Sequence, residues 1–188
     1  MATKKIHSIK EREAEAYGAL KERLGYKNIM QSPRLLKVVV SSGTGSIKDK
    51  NKIALVKERL GKITGQLPVD RKAKKAIANF KSRLGDTMGY QVTLRGPRAR
   101  DFLDRLFAIS LPRTRDFRGI SRSIVDEAGN ATIGIREHNI FPETADEELK
   151  DVFGLSATIV TTAPNKKEAE AYLEHLGLPF KKVEEKKK

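Results

Sequence analysis

Residues 71–122 read RKAKKAIANFKSRLGDTMGYQVTLRGPRARDFLDRLFAISLPRTRDFRGISR. At the centre of this stretch, residues 90–96 alternate apolar and polar side chains, which predicts a strand with one buried face. Pro97 then occupies the favoured first turn of a helix. The inward side chains of the strand are Val92 and Leu94, and those of the opposite face are Gln91, Thr93 and Arg95. The inward side chains of the helix are expected to be Phe102, Leu103, Leu106, Phe107 and Ile109.

Helices and strands alternate irregularly through the rest of the chain. Three further helices are predicted: residues 4–24 ending at Gly25, a helix capped by Asp49 and ending at Gly65, and one capped by Asn165 and ending at Gly177. The predicted strands cover residues 35–41, 66–69, 131–135 and 156–162, with loops at 71–83 and 111–122. This order favours an antiparallel or mixed sheet with helices packed on one face.

The charge of the chain is concentrated in the quoted stretch. It holds 14 Lys or Arg against 4 Asp, a net charge of +10, whereas residues 123–180 carry a net charge of −7. Lys and Arg neutralise phosphates and release counterions, so a basic stretch inside a folded domain indicates a polyanion as partner. The competing interpretation is a solvated basic surface that keeps the protein soluble.

Several classes of site find no support in the sequence. There is no cysteine, and the three histidines, His7, His138 and His175, are far apart, so we expect neither a metal site nor a cofactor. The GTGSIK segment at 43–48 lacks the remaining residues of a phosphate-binding loop and is interpreted as a tight turn. No catalytic constellation, signal peptide or membrane span is evident, and a cytoplasmic protein without enzymatic activity is expected.

Each basic loop contains one phenylalanine among its cations. Phe80 lies in the first loop and Phe117 in the second. An exposed ring can stack on an unpaired base, and a buried ring can instead hold its loop on the core; the sequence leaves both alternatives open for both residues. The few aromatic residues on the strands favour a structured RNA recognised by shape and phosphate spacing.

A series of motifs gives the sequence a specific resemblance. In order they are ITGQ at 63–66, KAKKAIANFK at 72–81, VTLRG at 92–96, LPRTRDFRGIS at 111–121, GIREH and IFPE between 134 and 143, and GLPF at 177–180. Over about residues 15–182 the chain resembles the bacterial family of ribosomal protein five of the large subunit, the 5S rRNA-binding protein. The expected organisation is one domain, residues 1–182, followed by a charged tail, residues 183–188.

The resemblance implies an α+β fold whose open, concave sheet face meets 5S rRNA. It also implies contacts with 23S rRNA in the central protuberance, with peptidyl-site tRNA, with a small-subunit head protein across the intersubunit bridge, and with neighbouring large-subunit proteins. The expected 5S rRNA contacts are Lys4, Lys5, Lys10, Ser41, Gln66, Thr93 and Arg95. The tRNA-proximal loop is assigned Lys72, Lys74, Lys75, Phe80 and Lys81. Candidates for other rRNA or ribosomal contacts are Arg113, Arg115, Arg118 and Arg122. From charge sign alone, the acidic region 143–151 suits the basic small-subunit protein.

The sequence departs from the family pattern at two places. Ser41 and Ser42 stand where the family usually has Asn and a bulky apolar residue before Gly-x-Gly. Serine has a shorter reach than an amide, so a direct RNA contact at Ser41 is expected to be weaker by ~1 kcal/mol, unless a water bridges the gap. Phe153 and Ser156 occupy positions where charged residues are common in relatives.

The main alternative function is a free-standing RNA chaperone or regulator, with an enzyme a distant third.

Overall fold

Five strands form one sheet. The computed structural model describes residues 8–47, 49–80, 82–144 and 152–181. The strands are β1 (Leu35–Gly43), β2 (Val69–Lys72), β3 (Thr87–Leu94), β4 (Ala131–Ile135) and β5 (Leu155–Thr161). They lie in the order β2-β3-β1-β5-β4, and each neighbouring pair is antiparallel. The expectation of an α+β fold is confirmed, and of its two sheet alternatives the antiparallel one holds.

The described residues form four α-helices, which begin and end mostly where the sequence predicted. They are α1 (Ile9–Leu24), α2 (Lys50–Thr64), α3 (Pro97–Arg105) and α4 (Lys166–Leu176). The predicted N-caps Asp49 and Asn165 accept backbone N–H groups, and the three predicted glycine stops all adopt the left-handed conformation. The helix predicted over residues 4–24 begins at Ile9, because Ser8 is extended and caps it; residues 4–7 lie outside the described residues.

One face of the sheet is buried and the other is open. Side chains of β1, β3 and β5 that point inward, such as Val40, Leu94 and Ile159, are fully buried. They pack in a single apolar cluster with residues of the helices, including Leu60 and Phe102. Burying each such side chain stabilises the fold by about 1.5–3 kcal/mol. The helices therefore cover one face of the sheet, as the sequence predicted.

A π-helical turn corrects the prediction for the third helix. The turn spans Leu106–Ser110 and follows α3 directly, with the N–H of Leu111 bonded to the carbonyl of Leu106 at 2.9 Å. Such a turn holds more residues than an α-turn and shifts the phase of the side chains after it. Ile109 is consequently 42% exposed, so the expectation that it packs inward is wrong. The other four predicted inward residues of this helix are buried.

The segment between α2 and β3 also differs from expectation. A strand over 66–69 is wrong: β2 begins at Val69, after Pro68, whose nitrogen has no hydrogen to donate to a ladder. The predicted 71–83 loop is more ordered than a plain loop, since its first two residues belong to β2 and a 3₁₀ turn covers Ala78–Phe80. The N–H of Ala73 donates to the carbonyl of Asp86 at 2.8 Å. Residues 71–86 thus extend the β2–β3 pair, and we call them the basic hairpin.

Candidate nucleic-acid interface

The open side of the sheet carries mostly polar side chains, and we call it the polar face. The register places Gln91, Ser41, Ser156 and Gly134 side by side across β3, β1, β5 and β4. Two residues further along the strands, a second row consists of Thr93, Val39, Thr158 and Thr132. These residues alternate with the buried ones of each strand, so they share the face that is not covered by any helix of the described residues. The polar face therefore presents hydroxyls and an amide.

Two pairs of hydroxyls on the polar face bond each other across neighbouring strands. The Oγ atoms of Ser41 and Ser156 are 3.0 Å apart, and the Oγ1 atoms of Thr132 and Thr158 are 3.1 Å apart. In each pair one hydroxyl donates and the other accepts, so the Thr132–Thr158 pair retains one further O–H donor, and both pairs retain lone pairs. In the serine pair the Ser156 hydroxyl also lies 3.5 Å from the carbonyl of Ser41, to which it can donate. Such groups match a ribose 2′-hydroxyl or a base edge, both of which donate and accept.

Cations lie at one end of the polar face. Val38 is paired with Leu94, so the next position along the two strands brings Lys37 opposite Arg95, which directly follows β3. Neither side chain makes a hydrogen bond or ion pair with any residue that the structure describes. Near the sheet edge, by contrast, the Nε of Arg71 donates to the Oε1 of Gln91. The Lys37–Arg95 end is therefore available to phosphate.

Three arginines of the helix layer are engaged in internal contacts. The Nε of Arg100 donates to Glu13 at 2.6 Å, and Arg105 pairs with Glu143. The guanidinium of Arg12 donates to the carbonyl of Leu176 at 2.7 Å. These contacts tie helices to one another and to the short turn after β4. These three arginines therefore stabilise the fold, whereas Arg95 on the polar face is left to bind a partner.

The other residues predicted to contact 5S rRNA lie off the strands. Gln66 is half-buried in the turn between α2 and β2, where its carbonyl accepts from the hydroxyl of Thr64 at 3.1 Å. Lys10 is exposed near the start of α1, in the helix layer. Lys4 and Lys5 lie outside the described residues. The structure thus brings Ser41, Thr93 and the adjacent Arg95 together, and sets Lys10 apart from them.

The second basic loop is fixed to the end of the chain, and we call residues 111–122 the arginine loop. Phe117 is half-buried against the core cluster, which decides for the anchoring alternative. Ile120 forms backbone hydrogen bonds of 2.8 Å with Pro179 and with Lys181. Arg113, Arg115 and Arg118 are exposed and have no hydrogen-bond or ion-pair partner for their side chains among the described residues.

Arg122 differs from the other arginines of that loop. Its guanidinium lies 3.4 Å from Glu170 and 3.4 Å from Glu174, and 4.9 Å from the ring centre of Phe180. These contacts join the loop to α4 and to the segment after it. Arg122 is therefore held within the molecule, and its predicted contact with RNA would require these ion pairs to be shared or exchanged.

The basic hairpin presents its side chains to solvent. Phe80 at its tip is 75% exposed, so burial does not account for it and the ring is free to stack. Lys72, Lys74 and Lys75, the hairpin lysines, are all exposed and make no side-chain contact of charge or hydrogen bond with the described part of the chain. Lys81 lies outside the described residues. Phe80 is therefore exposed and able to stack on a base, whereas Phe117 holds its loop on the core.

Titration shifts are found in the helix layer and core. Burial, followed by a 2.6 Å hydrogen bond to Glu168, raises the pKa of Tyr26 well above its usual range. Burial also raises the pKa of Tyr172, and burial with the nearby Asp70 carboxylate raises that of Tyr90. These phenols stay protonated near neutral pH and remain hydrogen-bond donors. None of the three is on the polar face.

Two searches of the described residues bear on other functions. They contain no group of three or more His, Cys, Asp or Glu residues placed to hold a metal ion. Nor does any helix within them have the length and apolar character needed to cross a membrane.

Comparison with known proteins identifies the family. Residues 28–83 match the family model described as ribosomal protein L5, and residues 87–180 match the model that describes the C-terminus of the same ribosomal family. The chain belongs to the L5 family of ribosomal proteins. A role in translation, rRNA binding and a place in the cytoplasmic ribosome follow from the family. Each half supplies strands to the same sheet, because β1 and β2 lie in the first match and β3–β5 in the second.

Curated relatives cover nearly the whole chain. Large ribosomal subunit protein uL5 of Anaeromyxobacter sp. (strain Fw109-5) is 48% identical over 170 residues, covering 90% of this chain and 94% of the relative. The protein of the same name from Chloroflexus aurantiacus (strain ATCC 29366 / DSM 635 / J-10-fl) is 47% identical over 168 residues, with coverages of 89% and 93%. That of Caldanaerobacter subterraneus subsp. tengcongensis is 49% identical over 171 residues, with coverages of 90% and 96%.

The structure accounts for the departures of this L5 family member from its usual pattern. Ser42 is buried on the inner face, and its Oγ donates to the carbonyl of Gly154 at 2.8 Å, so its hydroxyl is satisfied in the apolar surroundings. Phe153 is buried with its ring stacked on His138 at 4.2 Å between ring centres. Ser156 is the hydroxyl partner of Ser41. The two serines on the polar face therefore form a unit.

Sequence reasoning missed several residues of the polar face. The position of Lys37 on the polar face could have been predicted from the alternation of β1, since Val38 and Val40 point inward and their neighbours must point outward. The same alternation in β5 and β4 would have found Thr158 and Thr132. The pairing of β5 with β1, and of β4 with β5, by contrast, has no signal in the sequence.

Proposed function

We propose that this L5 family protein binds 5S rRNA through the polar face of its sheet and helps to attach it to 23S rRNA in the central protuberance of the large subunit. The observation that carries the proposal is a combination found on the face of the sheet that no described helix covers. There Lys37 and Arg95, which have no ion-pair partner among the described residues, lie on the same face as hydroxyls that retain hydrogen-bonding capacity. Ser41 and Thr93, predicted from the sequence, belong to this face, and Gln66 and the lysines of the N-terminus would extend the contact.

The role is structural and involves no turnover. Phosphate contacts at the Lys37–Arg95 end would supply affinity, because each neutralised phosphate releases counterions. Hydroxyl contacts in the middle of the face would supply selectivity for RNA, since the 2′-hydroxyl distinguishes RNA from DNA. Residues 1–182 act as one domain in this account, and the single sheet shared by both family matches supports that assignment.

The basic hairpin is proposed to approach peptidyl-site tRNA. Its support is the exposure of Phe80 and of the hairpin lysines, which lie beyond the sheet edge and have no internal role. Mobility of this hairpin in the free protein, with order gained against tRNA, is part of the proposal. Arg113, Arg115 and Arg118 are proposed to contact 23S rRNA or neighbouring large-subunit proteins, because they project from a loop that is itself fixed to the fold.

The small-subunit head protein is proposed to meet the acidic region 143–151. Within that region Glu143 is engaged with Arg105, and residues 145–151 lie outside the described part of the chain. The support for this contact is the negative charge of the sequence there.

Competition binding tests the main proposal. The affinity of the protein for 5S rRNA from the same organism is measured across a salt series, with a tRNA as competitor. The proposal predicts tight binding that resists competition as salt is raised. Equal affinity for both RNAs, lost in parallel with salt, would show a non-selective polyanion binder and would favour a free-standing RNA chaperone or regulator.

A further inference from the structure

A shallow cleft, open to solvent over most of its extent, lies at the end of the polar face that is opposite to Lys37 and Arg95. Its volume is about 440 Å³, and it lies where β1 ends, β4 ends and β5 begins. Among the nine residues that line it are Ser41, Gly43, Gly134, Arg136 and Ser156. The volume is within the range of about 300–1,000 Å³ that is common for sites binding small molecules. The cleft is therefore large enough for one nucleotide unit.

The cleft exists because small residues meet there from three strands. Gly134 lies on the outward side of β4, and a Cβ added to it would meet no atom within 4 Å. The same is true of Gly43 at the end of β1. The register sets Gly134 beside Ser156 and Ser156 beside Ser41, so the depression continues across the strands. A glycine inside a strand weakens it and often marks the close approach of a ligand.

The groups around the cleft suit a nucleotide better than a cation or an apolar ligand. The Ser41–Ser156 pair offers lone pairs to a base edge, and it offers an O–H donor when the Ser156 hydroxyl donates to that of Ser41 and not to the carbonyl of Ser41. Arg136 is exposed and forms neither a hydrogen bond nor an ion pair with the described residues. No carboxylate is among the described residues that line the cleft. A base could lie against the peptide groups of the floor while its phosphate meets Arg136.

We propose that this cleft holds one unpaired nucleotide of the bound RNA, with its base edge at the Ser41–Ser156 pair and its phosphate at Arg136. The inference rests on the proposed function, since it assigns a part of the same 5S rRNA interface. Sequence-specific recognition of RNA uses unpaired nucleotides whose edges are accessible. Ser41 and Lys37 are four residues apart in β1, or roughly 13 Å. One end of the face thus reads a base while the other holds the backbone.

Filling the cleft tests the proposal. In Gly134→Val the new side chain occupies the cleft, and valine is favoured in a strand, so the fold is retained. Arg136→Gln removes the phosphate partner without adding bulk. Lys167→Gln on the exposed surface of α4 is the control, because it removes one charge from the helix layer. Thermal unfolding of each variant is compared with that of the wild type.

The readout is the reactivity of unpaired bases in 5S rRNA at saturating protein, probed with dimethyl sulfate for A and C and with a carbodiimide for U and G. The wild type is expected to protect at least one unpaired base that becomes reactive again in the Gly134→Val complex. Affinity should fall by about 5- to 20-fold in Gly134→Val and by a smaller factor in Arg136→Gln, with Lys167→Gln unchanged.

Two failures are distinguishable. If the wild type prefers 5S rRNA over tRNA, but Gly134→Val and Arg136→Gln bind it with unchanged affinity and the same base protections, the cleft proposal is overturned and the proposed function stands. If the wild type itself shows no preference for 5S rRNA, the proposed function fails, and the cleft proposal fails with it.

Discussion

Removing the two cations at one end of the polar face should weaken RNA binding without destabilising the protein. The double variant Lys37→Gln/Arg95→Gln loses no internal contact with the described residues, so its free energy of unfolding should change by less than about 0.5 kcal/mol. Each lost charge-assisted phosphate contact should cost about 1–3 kcal/mol of binding free energy, so the loss of two should lower the affinity for 5S rRNA at least roughly 30-fold.

The salt dependence gives this prediction a second, independent magnitude. Each phosphate contact contributes about 0.7–0.9 to the slope of log affinity against log salt, so the slope should become shallower by about 1.4–1.8. The matched control is Lys166→Gln/Lys167→Gln, which removes the same charge from the start of α4, in the helix layer. Binding is measured by filter retention or fluorescence anisotropy across a salt series. Equal losses in both double variants would refute the reasoning, because only net charge would then matter.

Three further predictions concern the loops and their attachment. Replacing the hairpin lysines with alanine should leave 5S rRNA affinity within about twofold and reduce tRNA protection on reconstituted ribosomes; a large loss of 5S rRNA affinity would move the hairpin into the primary interface. Phe117→Ala should lower the free energy of unfolding in a urea titration by about 1–3 kcal/mol, whereas Phe80→Ala should change it by less than about 0.5 kcal/mol, and equal effects would contradict their different burial. Gly119→Ala should destabilise by more than about 1 kcal/mol, because φ is +91° and a Cβ would lie 2.7 Å from the backbone nitrogen of Lys181; wild-type stability in the same titration would show that the strain is relieved.

Local chemistry made most helix boundaries and strand faces predictable from the sequence. Asp49 and Asn165 cap helices because their side chains accept N–H groups of the first turn, and Gly25 ends one because it adopts the left-handed conformation. Alternation placed Val92 inward and Thr93 outward because successive side chains of a strand point to opposite faces. Each of these inferences needs only residues close together in the sequence.

Tertiary contacts decided the features that the sequence left open or misplaced. Phe80 and Phe117 have similar basic neighbours in the sequence. They differ because Phe117 packs against the core and its loop is hydrogen-bonded to the segment near the end of the chain. Ile109 was predicted on the wrong side because a π-helical turn changes the phase of the helix, and nothing in the local sequence pattern indicates such a turn. The cleft depends on Ser41 meeting Ser156, 115 positions later in the chain. Its existence follows from register, which local patterns do not specify.

Site-directed crosslinking tests the central claim, that the polar face is the surface that meets RNA. The native chain has no cysteine, so a single introduced cysteine can carry a photoactivatable crosslinker at a known position. Thr132→Cys places it on the polar face, and Lys167→Cys places it on the helix layer. With 5S rRNA bound, the account predicts efficient crosslinks from position 132 and few from position 167. Crosslinks mainly from position 167 would contradict it.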